Sequence, residues 1–442
     1  MSEVLASLSR ALDLTEGQPL GHSVRSCVIG MRLGREAGLD DDAMAELYYA
    51  LLLKDAGCSS NAARIASLFG SDDQAVKPRM KVVDWDDRMA LAVETWRNSG
   101  MHQSLGARMR HFLGVARQEG MTKDMIATRC ERGADIARRL GFPAGTVEAI
   151  RSLDEHWNGK GYPEGKRGDA IPLMSRILNI AQTVEVFWGA EGPQATEAML
   201  RERRGRWFDP ELTDSALAVL HDSALWASVQ SPEVESHVVS MEPHTTRLVD
   251  ARGLDDIAQA YADIIDAKSP FTFRHSSQVA MYATAIGEQL GFDEPTLVRT
   301  RRAGLLHDIG KVGVSNRILD KNGPLDLDER AAIERHPLHT WEILKRVSAF
   351  QDFARQASTH HEKLDGTGYP WNLGADELDA PSRALVVADI YEALTATRPY
   401  RAGMPVEKAL GILERDKGTR LDAAAVDALA HIVTRDDSDR AL

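Results

Sequence analysis

Between positions 275 and 389 this chain holds five histidines and two aspartates whose types and spacing could bind metal. In the stretch Gly304–Val314 an apolar run delivers His307 and Asp308 side by side, with Lys311 four and three positions further on. Neighbouring positions on a helix point about 100° apart, so the pair does not share a face, yet both reach one centre at the helix end. Lys311 returns to the same side, close enough to touch an anion held there. His275 stands upstream; His336, the tandem His360 and His361, and Asp389 follow. Seven nitrogen and oxygen ligands without a thiolate are too many for one structural zinc and suit a pair of borderline metals.

The pattern resembles the HD superfamily of metal phosphohydrolases, and its HD-GYP branch in particular. The resemblance is carried by His275, the run HDIGK from His307 to Lys311, His336, the run HHEKLDGTGYP from His360 to Pro370, and ADIYEALTATRPYR from Ala388 to Arg401. It covers residues 251–435. It implies that Asp308 bridges two divalent ions, with His275, His307 and Asp389 on one and His336, His360 and His361 on the other. Iron or manganese are the metals the family suggests, while the Irving–Williams order leaves zinc and nickel as competitors. Such a pair generates hydroxide from a bridging water and clamps the oxygens of an in-line phosphodiester displacement. Asp308 and Lys311 are then the expected catalytic groups, and the implied reaction is hydrolysis of cyclic di-GMP to pGpG, with GMP as a further product left open.

The same resemblance places substrate contacts on Lys311, Arg398, Arg401, Gly368 and Tyr369. Spacing alone does not orient the two arginines, because they follow Asp389 by nine and twelve residues and Pro399 should break the helix between. In Asp365–Pro370 the glycines permit close backbone approach and the proline fixes the exit, which predicts a rigid loop beside the tandem imidazoles. Family members with three metals carry a carboxylate four residues before the first histidine; here that position is Phe271, which favours two ions.

The elements that must position these groups are helices. Apolar residues recur at three- and four-residue spacing in Val4–Leu14, Ala43–Leu53, Leu254–Ala267 and Gln278–Leu290, with no strand-like alternation of any length. The expected fold is all-α, as two tandem HD-type bundles. An internal repeat supports the tandem arrangement: His22 aligns with His275 and Asp55 with Asp308 at an offset of 253, and Tyr162 with Tyr369 at an offset of 207. The first copy therefore carries about 46 extra residues, roughly Val82 to Thr128. In that copy Lys54 replaces His307, Cys58 replaces Lys311, Leu153 and Asp154 replace the tandem histidines, and Gln182 replaces Asp389. With so few ligands left, residues 1–222 are expected to be a degenerate, regulatory or dimerising domain. Residues 223–250 are expected to be a linker, 251–435 the catalytic domain, and 436–442 a frayed tail.

Composition narrows the partners. A net charge of −13 argues against a nucleic-acid polymer as ligand, since phosphate backbones are held by clustered Lys and Arg. No apolar run is long enough to span a bilayer and the first residues lack a secretory pattern, so no membrane partner is expected and the reading is cytoplasmic. Cys27, Cys58 and Cys130 are too scattered for a disulfide framework. A homodimer stays open. Three rival readings also remain: a phosphohydrolase for another cyclic dinucleotide or nucleotide, a diiron oxygenase on the same ligands, and a non-catalytic nucleotide sensor or scaffold.

Overall fold

The computed structural model describes all residues except 85–86, 102, 118–119, 244–249, 273, 398–401 and 441–442, and the backbone alone at 116–117, 121–122 and 436–440. The fold is all-α, and the only β pairings among the described residues are isolated bridges such as Asp365 with Gly374. No described helix is long and apolar enough to cross a membrane. The helices expected from apolar spacing form as Ser2–Thr15, Asp41–Leu53, Ala251–Asp266 and His275–Gln289. Backbone contacts divide the chain into two units, Met1–Asp250 with Ser315–Arg317, and Ala251–Val314 with Ile318–Leu442.

The first unit buries one core among helices His22–Glu36, Asp41–Leu53, Ala144–Arg151 and Leu173–Glu191, with Ile29, Leu51, Ile150 and Ile180 at its centre. Asp40 caps the second of these by accepting a hydrogen bond from the Ala43 N–H. The extra segment folds as helices Arg88–Asn98 and Leu105–Arg117 and the start of Met121–Arg139. The expected linker is different in the structure. Residues Ser223–Val229 and Val234–Ser240 are helices that belong to this unit: Trp226 stacks on Trp188 at 3.5 Å, and the Tyr48 hydroxyl donates to the Val238 carbonyl at 2.9 Å. Leu225, Trp226, Val229, Val234 and Val238 are the buried residues of this stretch, and their burial is what docks two such short helices.

In the second unit helix Glu294–Leu306 crosses His275–Gln289, and Ala380–Thr395 packs against the latter. Asp266 accepts hydrogen bonds from the Ser276 N–H and hydroxyl, at 3.3 and 2.7 Å, and so anchors the start of the His275 helix. Two expectations need correction. His307 and Asp308 do not sit on the helix itself: it ends at Leu306, and Ile309–Gly313 tightens into a 3₁₀ turn. Gly310 lets that turn lie against the next ligand-bearing helix, since a Cβ there would fall 1.9 Å from the His336 carbonyl oxygen. Of the expected tail, helix Ala423–Arg440 takes in the backbone as far as Arg440.

Candidate metal centre

Helix ends deliver most of the centre. His275 opens helix His275–Gln289, His307 and Asp308 follow the end of Glu294–Leu306, and His336 opens His336–Leu344. His360 and His361 lie just past Gln351–Ser358, and only Asp389 comes from the middle of a helix, Ala380–Thr395. Asp308 is fully buried at the focus. Its Oδ2 lies 3.4 Å from His275 Nε2 and 3.4 Å from His307 Nε2, and its Oδ1 lies 3.3 Å from His336 Nε2 and 3.6 Å from His360 Nε2. Asp389 Oδ1 is 3.3 Å from His275 Nε2, and its Oδ2 is 3.9 Å from His361 Nδ1. The ligand atoms of His275, His307 and Asp308 lie within 4.8 Å of one another, as do those of His336, His360 and His361.

The outer ring nitrogens show why these distances ask for cations. His307, His336 and His360 each direct Nδ1 at a backbone carbonyl, of Gly304, Ile333 and Ala357, at 2.8, 2.7 and 2.8 Å. Nδ1 is therefore the protonated nitrogen and Nε2 carries an inward lone pair. Burial pushes His336, His360 and His361 down, His361 to about 3, with the Lys311 ammonium adding to the effect at His336 and neighbouring imidazoles at His360 and His361, so these rings are neutral donors. Yet His336 Nε2 faces His360 Nε2 at 2.9 Å, lone pair against lone pair. His307 Nε2 and Asp308 Oδ1 are buried without a hydrogen-bond partner. Ligand-to-ligand separations of roughly 3–3.5 Å are what bonds of about 2.1 Å to a shared ion produce. The residues present thus fit divalent metal.

Four carboxylate and lysine groups complete the surroundings. Burial would raise Asp308, but His307 and Lys311 hold it well below the usual carboxylate range. Lys311 Nζ lies 2.6 Å from Asp308 Oδ2 with its side chain 21% exposed. Glu392, one turn after Asp389, accepts from His275 Nδ1, and Glu362 accepts from the Trp371 and Leu373 N–H groups at 2.8 and 3.0 Å. Sequence reasoning missed both glutamates; the signal was there, because Glu185 and Glu155 stand at the same 207-residue offset in the first copy. It also missed Thr340, whose hydroxyl donates to the His307 carbonyl and accepts from the Gly310 N–H. The Tyr369 ring packs against His361 with centroids 4.7 Å apart and planes tilted by 31°, and Gly368 is required because a Cβ would lie 2.4 Å from the Glu362 Cα. Arg398 and Arg401 lie outside the described residues.

In the first unit the corresponding place is filled by side chains. His22 Nδ1 meets Glu185, as His275 meets Glu392. Lys54 Nζ sits 3.0 Å from His22 Nε2 and bonds Asp55, and Lys81 Nζ lies 3.7 Å from Asp55 Oδ1 and 2.9 Å from Glu16 Oε2. Glu16, Asp55 and Cys58 have the spacing of a metal cluster, but burial pushes the Cys58 thiol well up, and ammonium groups already neutralise both carboxylates.

Comparison with known proteins follows the same lines. The HD domain family profile matches residues 112–212 and 259–425. The 3′3′-cGAMP-specific phosphodiesterase 3 of Vibrio cholerae serotype O1 is 42% identical over 97% of this chain and 94% of that protein. A crystal structure of a cyclic GMP-AMP specific phosphodiesterase of V. cholerae superposes with a TM-score of 0.67 at 37% identity, covering 98% of this chain and 97% of that one. A cyclic di-GMP phosphodiesterase response regulator of Xanthomonas campestris pv. campestris is 31% identical over 45% of this chain and 54% of its own length.

Proposed function

This chain belongs to the HD-domain family, in its HD-GYP branch, and from that premise we propose that it hydrolyses 3′3′-cyclic GMP-AMP, with cyclic di-GMP as the competing substrate. It is a cyclic dinucleotide phosphodiesterase dependent on divalent metal. The observation that carries the reading is the convergence of five imidazoles and Asp389 on the buried carboxylate of Asp308. Preference for the mixed dinucleotide rests on likeness along nearly the whole chain to proteins of that name, whereas the cyclic di-GMP relative named above matches less than half of it.

Two ions, iron or manganese, would be held by His275, His307 and Asp389 and by His336, His360 and His361, with Asp308 common to both. When bound they supply Lewis acidity and a water of lowered pKa. The protein's own contribution is positional. Among the metal ligands and Lys311, the side chains of Lys311 at 21% and His361 at 26% are the ones that reach solvent appreciably, so the phosphodiester enters past them. The Lys311 ammonium meets its negative charge, and Tyr369, packed against His361, bounds the entry. Neutral Nε2 atoms, fixed by carbonyls behind them, need no proton loss before binding metal. The first unit is a degenerate copy whose ion positions are taken by Lys54 and Lys81, and its role is regulatory or dimerising.

The test is hydrolysis of both dinucleotides by full-length protein with its metal content measured. Turnover of the mixed substrate should exceed that of cyclic di-GMP, and His307→Ala and Asp308→Ala should each abolish it. A metal-loaded, folded wild type inert on both dinucleotides would overturn the assignment.

A further inference from the structure

We propose that helices Arg88–Asn98 and Leu105–Arg117 of the first unit form a surface that rests against an anionic lipid bilayer. The proposal stands apart from the catalytic reading, because both helices belong to the extra segment that the second copy lacks. Of the ten large apolar side chains exposed among the described residues, five lie on these two helices. They are Met89, Val93, Leu105, Met109 and Leu113, with Met89 at 75% and Leu105 at 72%. Apolar residues scattered singly over a surface are ordinary, whereas such a concentration marks a docking face.

Spacing arranges the five in two rows. Met89 and Val93 are four positions apart, as are Leu105, Met109 and Leu113, so each helix carries an apolar stripe. Other positions do the packing: Leu91, Thr95 and Val115 border the same interior space as Val76 and Ile126, and Trp96 meets Phe112 edge-on at 5.6 Å. Gly106 lies seven positions before Leu113 and shares its side, and an added Cβ there would meet no atom within 4 Å. The outer side of the second helix is therefore open.

Charge selects what covers it. The two helices hold five arginines against one acidic residue, Glu94, in a chain whose net charge is −13. Arg88, Arg97 and Arg110 are exposed, and among the described residues only Arg97 of the three pairs with a carboxylate, that of Glu94 at 3.4 Å. Arg88 and Arg110 thus present uncompensated charge beside the stripes. A second copy docked symmetrically through this face would set arginines against their own equivalents. Anionic headgroups meet them instead, while the stripes settle at the acyl boundary. Spanning helices are not needed for such contact.

The experiment is co-sedimentation of the full-length chain with vesicles of phosphatidylcholine alone and of phosphatidylcholine mixed with phosphatidylglycerol. The mixed vesicles should bind it at least about tenfold more tightly despite its negative net charge, and added salt should weaken that binding. Leu105→Glu/Met109→Glu should abolish binding while the protein still melts cooperatively, since both side chains are exposed. Arg88→Gln and Arg110→Gln should each weaken it about fivefold. Met281→Glu, at an exposed apolar side chain of the second unit, should leave it unchanged. Equal binding to both vesicles, binding to neither, undiminished binding by the double variant, or the same loss in Met281→Glu would overturn the proposal. So would a wild-type dimer in solution that the double variant dissolves, because the face would then belong to a second copy.

Discussion

Replacing Glu392 with Gln isolates one charge behind the metal centre. Glu392 is 5% exposed and its Oε2 meets His275 Nδ1, while the outer nitrogens of His307, His336 and His360 meet neutral carbonyls. Burial alone would lower His275, but Asp308, Asp389 and Glu392 raise it well above the usual imidazole value. A glutamine carbonyl still accepts the Nδ1 proton, so ring orientation and tautomer survive and only the negative charge is lost. Outer carboxylates of this kind are worth about 10–100-fold in metal affinity, or about 1.4–2.7 kcal/mol. Glu392→Gln should sit near the lower figure and Glu392→Ala near the upper, because alanine also frees the ring. Competition against a metallochromic chelator reads the affinity, and turnover at saturating metal reads the rest. The expected outcome is weakened metal binding with turnover largely restored by excess metal. Unchanged affinity in both variants, or a turnover loss that excess metal leaves in place, would refute the positioning role.

Two further outcomes concern the first unit. Lys54→Met should destabilise it by about 3 kcal/mol, the lower end for breaking a buried ion pair, because Lys81 still faces Asp55 at 3.7 Å. Calorimetric melting should show the loss, with most of it recovered in Lys54→Met/Asp55→Leu; a single variant that melts like wild type contradicts the ion-pair account. His156 is 2% exposed and stacked on Trp207 at 4.0 Å, and burial holds it down to about 4. The unfolded chain takes up this proton near 6.5, so the stability is complete above that value and falls away from pH 6.5 to pH 4, by about 3 kcal/mol in all. Urea melts at pH 7 and pH 4.5 should show a smaller pH difference in His156→Phe than in wild type; an equal difference would place the effect elsewhere.

Much of the site was legible because ligand chemistry depends on residue type. The run HDIGK, the tandem histidines and Asp389 are recognisable without knowing any helix boundary, and the repeat offsets make Lys54 and Gln182 stand out as replacements. What supports the ligands was harder to see, since Glu392 and Glu362 act through a hydrogen bond and a loop backbone rather than through spacing to the metal. The helix termination at Leu306 escaped periodicity because apolar Ile309 and Val312 continue the pattern into the 3₁₀ turn. The stretch 223–243 was mistaken for a connection because Pro232 interrupts two seven-residue helices, each too short for a periodic signal.

Lys54 and Lys81 are tethered by their own backbone, whereas the cations of the second unit must be taken from the surroundings. A strong chelator can therefore strip one half of the molecule of positive charge and cannot touch the other. Under metal starvation the chain would keep the first unit's internal neutralisation intact while catalysis fell silent, and resupply would restore turnover without that unit having to refold. The chain thus holds one charge cluster dependent on nutrition and one exempt from it.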